Sequence, residues 1–183
     1  MSTTTDLSAL PEGIALRAAH RADAEAIVSL HARAIRVLAA THYSEDEIDA
    51  WADRMTVATC VAAMQSRPML VAVTHDAQAR VVGFGQLHPE EGIVEAVYVE
   101  PDCERRGIGR ALAQGLEDVA RKCALRWLVA DASLNAVPFF RAVGFRQVAL
   151  DHHEPAPAVH IACVVMEKDL LPAAGTSPTP SSR

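Results

Sequence analysis

A strand, a turn and the start of a helix are indicated by residues 97–112, which read Val97-Tyr98-Val99-Glu100-Pro101-Asp102-Cys103-Glu104-Arg105-Arg106-Gly107-Ile108-Gly109-Arg110-Ala111-Leu112. The first residues are apolar or aromatic, which is typical of a strand. Pro101 ends that strand because proline cannot donate a hydrogen bond to a ladder. Beyond the two glycines, apolar residues recur at the three- and four-residue spacing of an amphipathic helix. This order predicts a glycine turn at the N-terminus of a helix.

The turn has the composition of an anion-binding site. The first amides of a helix have no acceptor within the helix and carry partial positive charge. The two glycines lack a Cβ, so a diphosphate can approach the backbone closely. The three arginines add full charges that pair with phosphate oxygens. The residues expected at the phosphates are Arg105, Arg106, Gly107, Ile108, Gly109 and Arg110.

Three kinds of phosphate-binding site contain a glycine turn of this sort. A P-loop requires a Gly-Lys pair, and the chain contains none. A dinucleotide fold requires G-x-G-x-x-G directly after its first strand, whereas Gly115 lies deep in the predicted helix. The position of the turn, between a strand and an amphipathic helix, fits best the third kind, a site for the pyrophosphate of coenzyme A.

The rest of the chain predicts an α/β fold with a mixed central sheet of about six to seven strands flanked by helices. Strands are predicted at 14–18, 69–74, 81–87, 93–99, 126–130, 145–150 and 159–166, and helices at 23–38, after the capping box of Ser44 and Glu47, and at 57–65, 108–123 and 137–143. The early strands are predicted to be antiparallel. A later strand-helix-strand unit must be parallel and right-handed.

The segment Glu104–Gly109 resembles the acetyl-CoA signature Q/R-x-x-G-x-G/A of the GCN5-related N-acetyltransferase (GNAT) family, with glutamate at the first position. The strand end Tyr98-Val99-x-Pro101 and the later Phe139-Phe140-Arg141-x-x-Gly144-Phe145 resemble the same family, over roughly residues 14–170. The resemblance implies the GNAT, or acyl-CoA N-acyltransferase, fold. It also implies transfer of acetyl from acetyl-CoA to a primary amine of a small molecule or peptide, in a ternary complex.

The resemblance also implies how the cofactor is held. Val97 and Val99 should offer backbone groups to the pantetheine arm, with Tyr98 between them and a backbone N–H near Val99 meeting the oxyanion. The family's asparagine is displaced here, so either Ser133 or Asn135 should take its role. Phe140 stands at the cofactor-contacting position where the family usually has a tyrosine that protonates the thiolate. Three substitutes for that acid stay open, namely Tyr43, Tyr98 and a water molecule.

Glu95 is the predicted catalytic residue. Strand alternation puts it on the same face as Val97 and Val99, where a carboxylate could accept the amine proton or bind the ammonium form. The alternative is a solvated strand glutamate. The acceptor pocket is expected to include Tyr43, Trp51 and His88, although an aromatic residue spaced like Trp51 is commonly part of a core.

Charge and composition narrow the possible partners. The formal net charge of −6 argues against a nucleic-acid binder. The four cysteines form no C-x-x-C pair, and the neighbouring His152 and His153 lack a third ligand, so no metal site is predicted. The sequence shows no signal peptide or membrane-spanning run, which favours a cytoplasmic protein without membrane contact. A homodimer is compatible with the resemblance.

The chain is predicted to have a flexible N-terminus (1–12), one GNAT acetyltransferase domain (13–171) and a disordered tail (172–183) rich in Pro, Ser and Thr. Two other functions stay open. The absence of the usual tyrosine allows a non-catalytic acyl-CoA-binding regulatory module, and the glycine turn alone allows a generic nucleotide-binding α/β domain.

Overall fold

The structure is a computed structural model that describes residues 10–156 and 159–170. The strands are β1 (Ile14–Ala18), β2 (Met69–Thr74), β3 (Val81–His88), β4 (Ile93–Val99), β5 (Trp127–Ser133), β6 (Arg146–Ala156) and β7 (Val159–Asp169). The helices are α1 (Ala24–Leu38), α2 (Glu45–Ala52), α3 (Val57–Ser66), α4 (Ile108–Lys122) and α5 (Val137–Ala142). Apart from residues 10–12, the predicted flexible ends 1–12 and 172–183 lie outside the described residues.

One mixed sheet carries all seven strands in the order β1-β2-β3-β4-β5-β7-β6. Only β4 and β5 run parallel among the described strands, and the other neighbours are antiparallel. The predicted mixed α/β sheet is therefore confirmed. β5 and β6 extend beyond their predicted ends. The prediction stopped short because most of the added residues are polar or exposed and interrupt the apolar pattern on which it depended.

Helices cover both faces of the sheet. On one face, α4 packs its apolar row, spaced four residues apart at Ile108, Leu112 and Leu116, against β3 and β4. On the other face, α1 packs Ile27 and Leu30 with α3 against β2 and β3. The predicted capping box of α2 is present, with reciprocal hydrogen bonds between its N-cap serine and the glutamate three residues later.

The sheet opens between its two parallel strands. β4 and β5 are paired at Ile93 and Val129, where the Val129 N–H donates to Gly92 O at 2.9 Å. The two strands are paired at no other position, so none of the described strands pairs with the C-terminal half of β4 on this side. A wedge-shaped opening results in the middle of the sheet, at the end where α4 begins.

A buried charge cluster fixes the elements that border this opening. Glu117 of α4 is 3% exposed and binds both Arg121 and Lys168 of β7. Lys168 Nζ also donates to Val143 O at 2.6 Å, just after α5. Since the cluster joins α4, α5 and β7, it holds both helices in place beside the wedge.

Candidate active site

The first cavity lies in the wedge between β4 and β5 and is called the cofactor groove. It is bordered by the end of α1, the turn before α4, and α5. Its lining residues are Ala34, Ile35, Leu38, Ala39, Trp51, Val97, Tyr98, Val99, Cys103, Glu104, Arg105, Gly107, Ile108, Gly109, Arg110, Ser133, Asn135, Ala136, Phe139, Ala142 and Val143. The groove thus has apolar walls and a basic, glycine-containing end.

The glycine turn at that end has the geometry of an anion site. Gly107 is the N-cap of α4 at φ +84°, a left-handed conformation that favours glycine. A Cβ on Gly109 would lie 3.1 Å from Phe139 Cε2, so glycine keeps the passage between the turn and α5 open. The first amides of α4, which have no acceptor within the helix, stand at this opening. These residues fit a diphosphate.

The arginines of the turn differ in position. Arg105 and Arg110 line the groove, and Arg110 Nη2 is 3.4 Å from Ala142 O across it. Arg106 is exposed and lines neither cavity. The structure therefore places Arg105 and Arg110 at the groove, but not the Arg106 side chain.

The backbone of β4 faces the groove at alternate residues. Glu100 N–H donates to Val82 O at 2.9 Å, on the β3 side. Since backbone groups alternate in direction along a strand, those of Val99 and Val97 point toward the wedge. Within the part of the chain that the structure describes, no strand pairs with that side, so these groups can pair with an extended ligand such as a pantetheine arm.

The β5 side of the groove carries Ser133 and Asn135, both of which line it. Asn135 Oδ1 is buried and has no hydrogen-bond partner among the described residues, a vacancy that a ligand N–H would fill. Phe140 is placed differently from the prediction. Its ring is 7% exposed and packs edge-on against Phe145 in the core, whereas Phe139 lines the groove, because adjacent residues of a helix face different directions.

A second cavity, of about 600 Å³, lies on the α1 and α3 side of β4 and is called the acceptor cavity. It is lined by His31, Trp51, Arg54, Met55, Thr59, Cys60, Ala63, Arg67, Gln86, Ile93, Val94, Glu95, Ala96, Tyr98, Asp131, Ser133, His153, Pro155, Ile161 and Cys163. Three residues, Trp51, Tyr98 and Ser133, line both cavities. The two cavities therefore meet at these side chains.

Glu95 lies in the acceptor cavity because β4 contains a bulge. Gln86 of β3 pairs with Ala96, and the next residue of β3 pairs with Val94, so Glu95 is the extra residue. Its carboxylate forms an ion pair with Arg67 Nη1. The predicted face is corrected, since the bulge puts Glu95 with Ala96 and opposite Val97, on the side away from α4.

Two buried polar side chains in this cavity were not predicted. His31 is 5% exposed and Gln86 6% exposed, and neither His31 Nδ1 nor Gln86 Nε2 has a hydrogen-bond partner among the described residues. The His31 ring contacts Tyr98 edge-on, with centroids 4.8 Å apart. Burial lowers the pKa of His31 to about 4, against an upward effect of a hydrogen bond with Ala52. A signal was present, because His31 interrupts the apolar face of α1.

Two predicted acceptor residues lie elsewhere. Tyr43 lines neither cavity, and its hydroxyl donates to Ala162 O and accepts from Leu134 N, both at 2.7 Å. His88 also lines neither cavity, and its Nε2 is 3.6 Å from Glu91 Oε1. The structure therefore brings neither residue to the acceptor cavity. Tyr43 is a structural bridge with its hydrogen-bonding capacity used, and His88 lies at the far end of β3, beyond the bulge.

Protonation states at the junction follow from burial. Burial raises the pKa of Tyr98 far above its ordinary value, although a hydrogen bond from Trp51 acts in the opposite direction. Burial likewise raises the pKa of the Cys163 thiol to about 11 and raises that of Cys60. All three groups therefore stay protonated near neutral pH.

Within residues 10–156 and 159–170, no cluster of three or more His, Cys, Asp or Glu could hold a metal ion, and no helix is long and apolar enough to cross a membrane.

Comparison with known proteins agrees with this architecture. Residues 39–170 match the family described as Acetyltransferase (GNAT) domain. The L-amino acid N-acyltransferase MnaT of Escherichia coli K12 is 29% identical over 126 residues, which are 64% of this chain and 69% of that protein. A GCN5-related N-acetyltransferase from Rhodopseudomonas palustris is 28% identical, with a TM-score of 0.80 over 88% of this chain and 98% of its own.

A more distant solved structure shares the fold. PaiA N-acetyltransferase from Thermoplasma acidophilum, in complex with coenzyme A, has a TM-score of 0.70 and 18% identity, covering 85% of this chain and 98% of its own. The chain belongs to the GNAT acetyltransferase family. It is therefore an acetyltransferase, and the predicted family and fold are confirmed.

Proposed function

We propose that this protein transfers the acetyl group of acetyl-CoA to a primary amine of a small molecule, by direct attack in a ternary complex. The observation that carries the proposal is the junction of the two cavities at Trp51, Tyr98 and Ser133. A thioester in the cofactor groove and an amine in the acceptor cavity would meet there without leaving the protein. The volume of the acceptor cavity lies within the range of small-molecule sites.

Acetyl-CoA supplies an activated acetyl group as a thioester. The Val97 and Val99 backbone groups would hold its pantetheine arm, and the α4 N-terminus with Arg105 and Arg110 its pyrophosphate. A backbone N–H near Val99 would stabilise the oxyanion of the tetrahedral intermediate. The N–C bond forms and the C–S bond breaks, while the amine loses one proton and the thiolate gains one.

Direct attack is favoured over a cysteinyl intermediate by the state of the acceptor-cavity thiols. Cys60 and Cys163 line this cavity, and burial raises the pKa of each. The thiolate is the nucleophilic form of cysteine, so these side chains are poor nucleophiles near neutral pH.

Proton transfer is assigned to two side chains of β4. Glu95 binds the ammonium group or accepts its proton through water, and its ion pair with Arg67 fixes the carboxylate in the acceptor cavity. Tyr98 is the proposed hydrogen-bond donor to the leaving sulfur, because it lines both cavities and keeps its proton. Of the three substitutes for the missing acid, Tyr43 is excluded by its two hydrogen bonds to backbone groups.

The first experiment measures thermal stabilisation by acetyl-CoA, coenzyme A, ATP and NAD, followed by coenzyme A thiol release with a panel of amines. Amino acids come first in the panel, since a relative is named as an L-amino acid N-acyltransferase. We expect stabilisation by acetyl-CoA and coenzyme A, and thiol release with at least one class of amine. Stabilisation by coenzyme A with no release from any amine would favour the alternative function, a non-catalytic acyl-CoA-binding regulatory module, which the buried Phe140 at the usual acid position supports.

A further inference from the structure

Some charged side chains of the acceptor cavity form ion pairs, and others do not. Arg67 and Glu95 form an ion pair and cancel one another. Arg54 lines the cavity and forms no ion pair with any residue that the structure describes. Asp131 has His153 as its neighbour, with 3.8 Å between Oδ2 and Nε2, which is an ion pair only when the histidine is protonated. Apart from the Arg67–Glu95 pair, the described lining of the cavity therefore contains one guanidinium and one carboxylate.

The positive charge of Arg54 affects the pKa values of two buried side chains of the cavity, although Arg54 itself is exposed. Burial is the main cause of the lowered pKa of His31, and the positive charge of Arg54 lowers it further. The same charge opposes the burial effect that raises the pKa of Tyr98. Tyr98 lines both cavities, and the His31 ring packs against it on the acceptor side. Arg54 lines the same acceptor cavity, so an anion that it held would share this cavity with the proposed amine.

The acceptor cavity also contains buried neutral polar groups that need a hydrogen-bonding partner. Gln86 Nε2 and His31 Nδ1 are buried and lack a hydrogen-bond partner within the described chain. A buried polar group without a partner is costly unless a ligand or water supplies one. Two such groups in one cavity, on β3 and α1, indicate a site built for a polar molecule rather than for an alkyl amine.

We infer that the acceptor is an amine that also carries a carboxylate, as an α-amino acid does, and that Arg54 binds this carboxylate. The inference rests on the proposed N-acetyltransferase function. A guanidinium matches a carboxylate through paired N–H donors. The amide of Gln86 supplies a neutral donor to the same molecule. Glu95 is the proposed partner of the amine, so the acceptor cavity contains a group for each charged end of a zwitterion.

The test compares matched acceptors that differ in the carboxylate alone. The pairs are L-methionine with 3-(methylthio)propylamine, L-leucine with isoamylamine, and L-phenylalanine with phenethylamine. The value of kcat/KM is measured from coenzyme A thiol release for the wild type, Arg54→Gln, Arg54→Lys and Arg80→Gln. Arg80 is the control, because it lies in the β2–β3 turn and lines neither cavity.

We expect the wild type and Arg80→Gln to prefer the amino acid in at least one pair by about tenfold or more, the size of a charge-assisted hydrogen bond. Arg54→Gln should reduce that preference to within about threefold by lowering kcat/KM for the amino acid alone, and Arg54→Lys should retain an intermediate preference. Equal use of both members of every pair by the wild type would overturn the inference. So would an equal loss on both members in Arg54→Gln. Release from other amines of the panel but from none of these six acceptors would overturn the inference alone, whereas no release from any amine would refute the proposed transfer and the inference with it.

Discussion

Replacing the three arginines of the glycine turn one at a time tests where the phosphates of coenzyme A bind. Arg105, Arg106 and Arg110 are all exposed, so their loss should leave the fold intact. Only Arg105 and Arg110 line the cofactor groove. The variants Arg105→Gln and Arg110→Gln should therefore weaken coenzyme A binding, and Arg106→Gln serves as a matched control with the same change of charge.

The expected magnitude follows from exposure. Two opposite charges 4 Å apart interact by about 1 kcal/mol in a water-like dielectric, and more where water is excluded. For side chains as exposed as these arginines, the lower value applies, and about 1 kcal/mol is roughly a fivefold change in Kd. We expect roughly fivefold weaker binding for Arg105→Gln and for Arg110→Gln. The Arg106→Gln variant should change Kd by less than about twofold, since its charge acts only through screened solvent.

Isothermal titration calorimetry with coenzyme A at low and at high salt measures both the size and the origin of the effect. The Debye length falls from about 10 Å at 0.1 M to about 3 Å at 1 M ionic strength. The losses in Arg105→Gln and Arg110→Gln should thus shrink at high salt.

A result in which Arg106→Gln weakens binding as much as Arg110→Gln would show that the field of the whole turn matters and would refute the assignment by position. Unchanged Kd in all three variants would place the phosphates away from this turn.

Three further predictions concern single side chains. Tyr43→Phe leaves two backbone groups without a partner, so we expect a loss of about 2 kcal/mol in the free energy of unfolding, or about 4–8 °C in Tm, with unchanged coenzyme A affinity; an unaltered Tm would contradict the bridging role. His31 has a folded pKa of about 4 against an ordinary 6.5, so the unfolded chain binds more protons between these values and stability should rise with pH from about 4 to 6.5, by up to about 3 kcal/mol. Urea unfolding across this range measures the slope, and His31→Leu should remove that part of it. Glu95→Gln should lower kcat with little change in acetyl-CoA affinity, because Glu95 lines only the acceptor cavity; steady-state kinetics would refute its role if kcat were unchanged.

Local sequence signals predicted most of the fold. The bounds of β1, β2 and β4 agree with the prediction, because each is a short apolar run closed by turn residues. The start of α2 was indicated by a side chain that bonds within its own helix turn. Such features depend on residues a few positions apart, so the local sequence is sufficient to predict them.

The acceptor side of the site was predicted less well, because its determinants are long-range. The hydroxyl of Tyr43 forms hydrogen bonds with backbone groups 91 and 119 residues away along the chain. No local sequence pattern predicts such partners. Phe139 and Phe140 are chemically alike, and only the docking of α5 decides which ring faces the groove. Arg54 follows α2 and belongs to no recognisable motif. Its position at the acceptor cavity depends on how α2 packs, which the local sequence does not predict.

The bulge in β4 connects the two proton-handling proposals. Glu95 and Tyr98 are three residues apart, and strict alternation would put their side chains on opposite faces of the sheet. The extra residue reverses the alternation once, so both side chains lie on the acceptor-cavity side while the Val97 side chain packs toward α4. A carboxylate for the incoming amine and a hydroxyl for the departing sulfur thereby share one strand and one cavity. The proposed pairing of Glu95 with Tyr98 thus depends on this bulge, because it brings Glu95 to the cavity that Tyr98 lines.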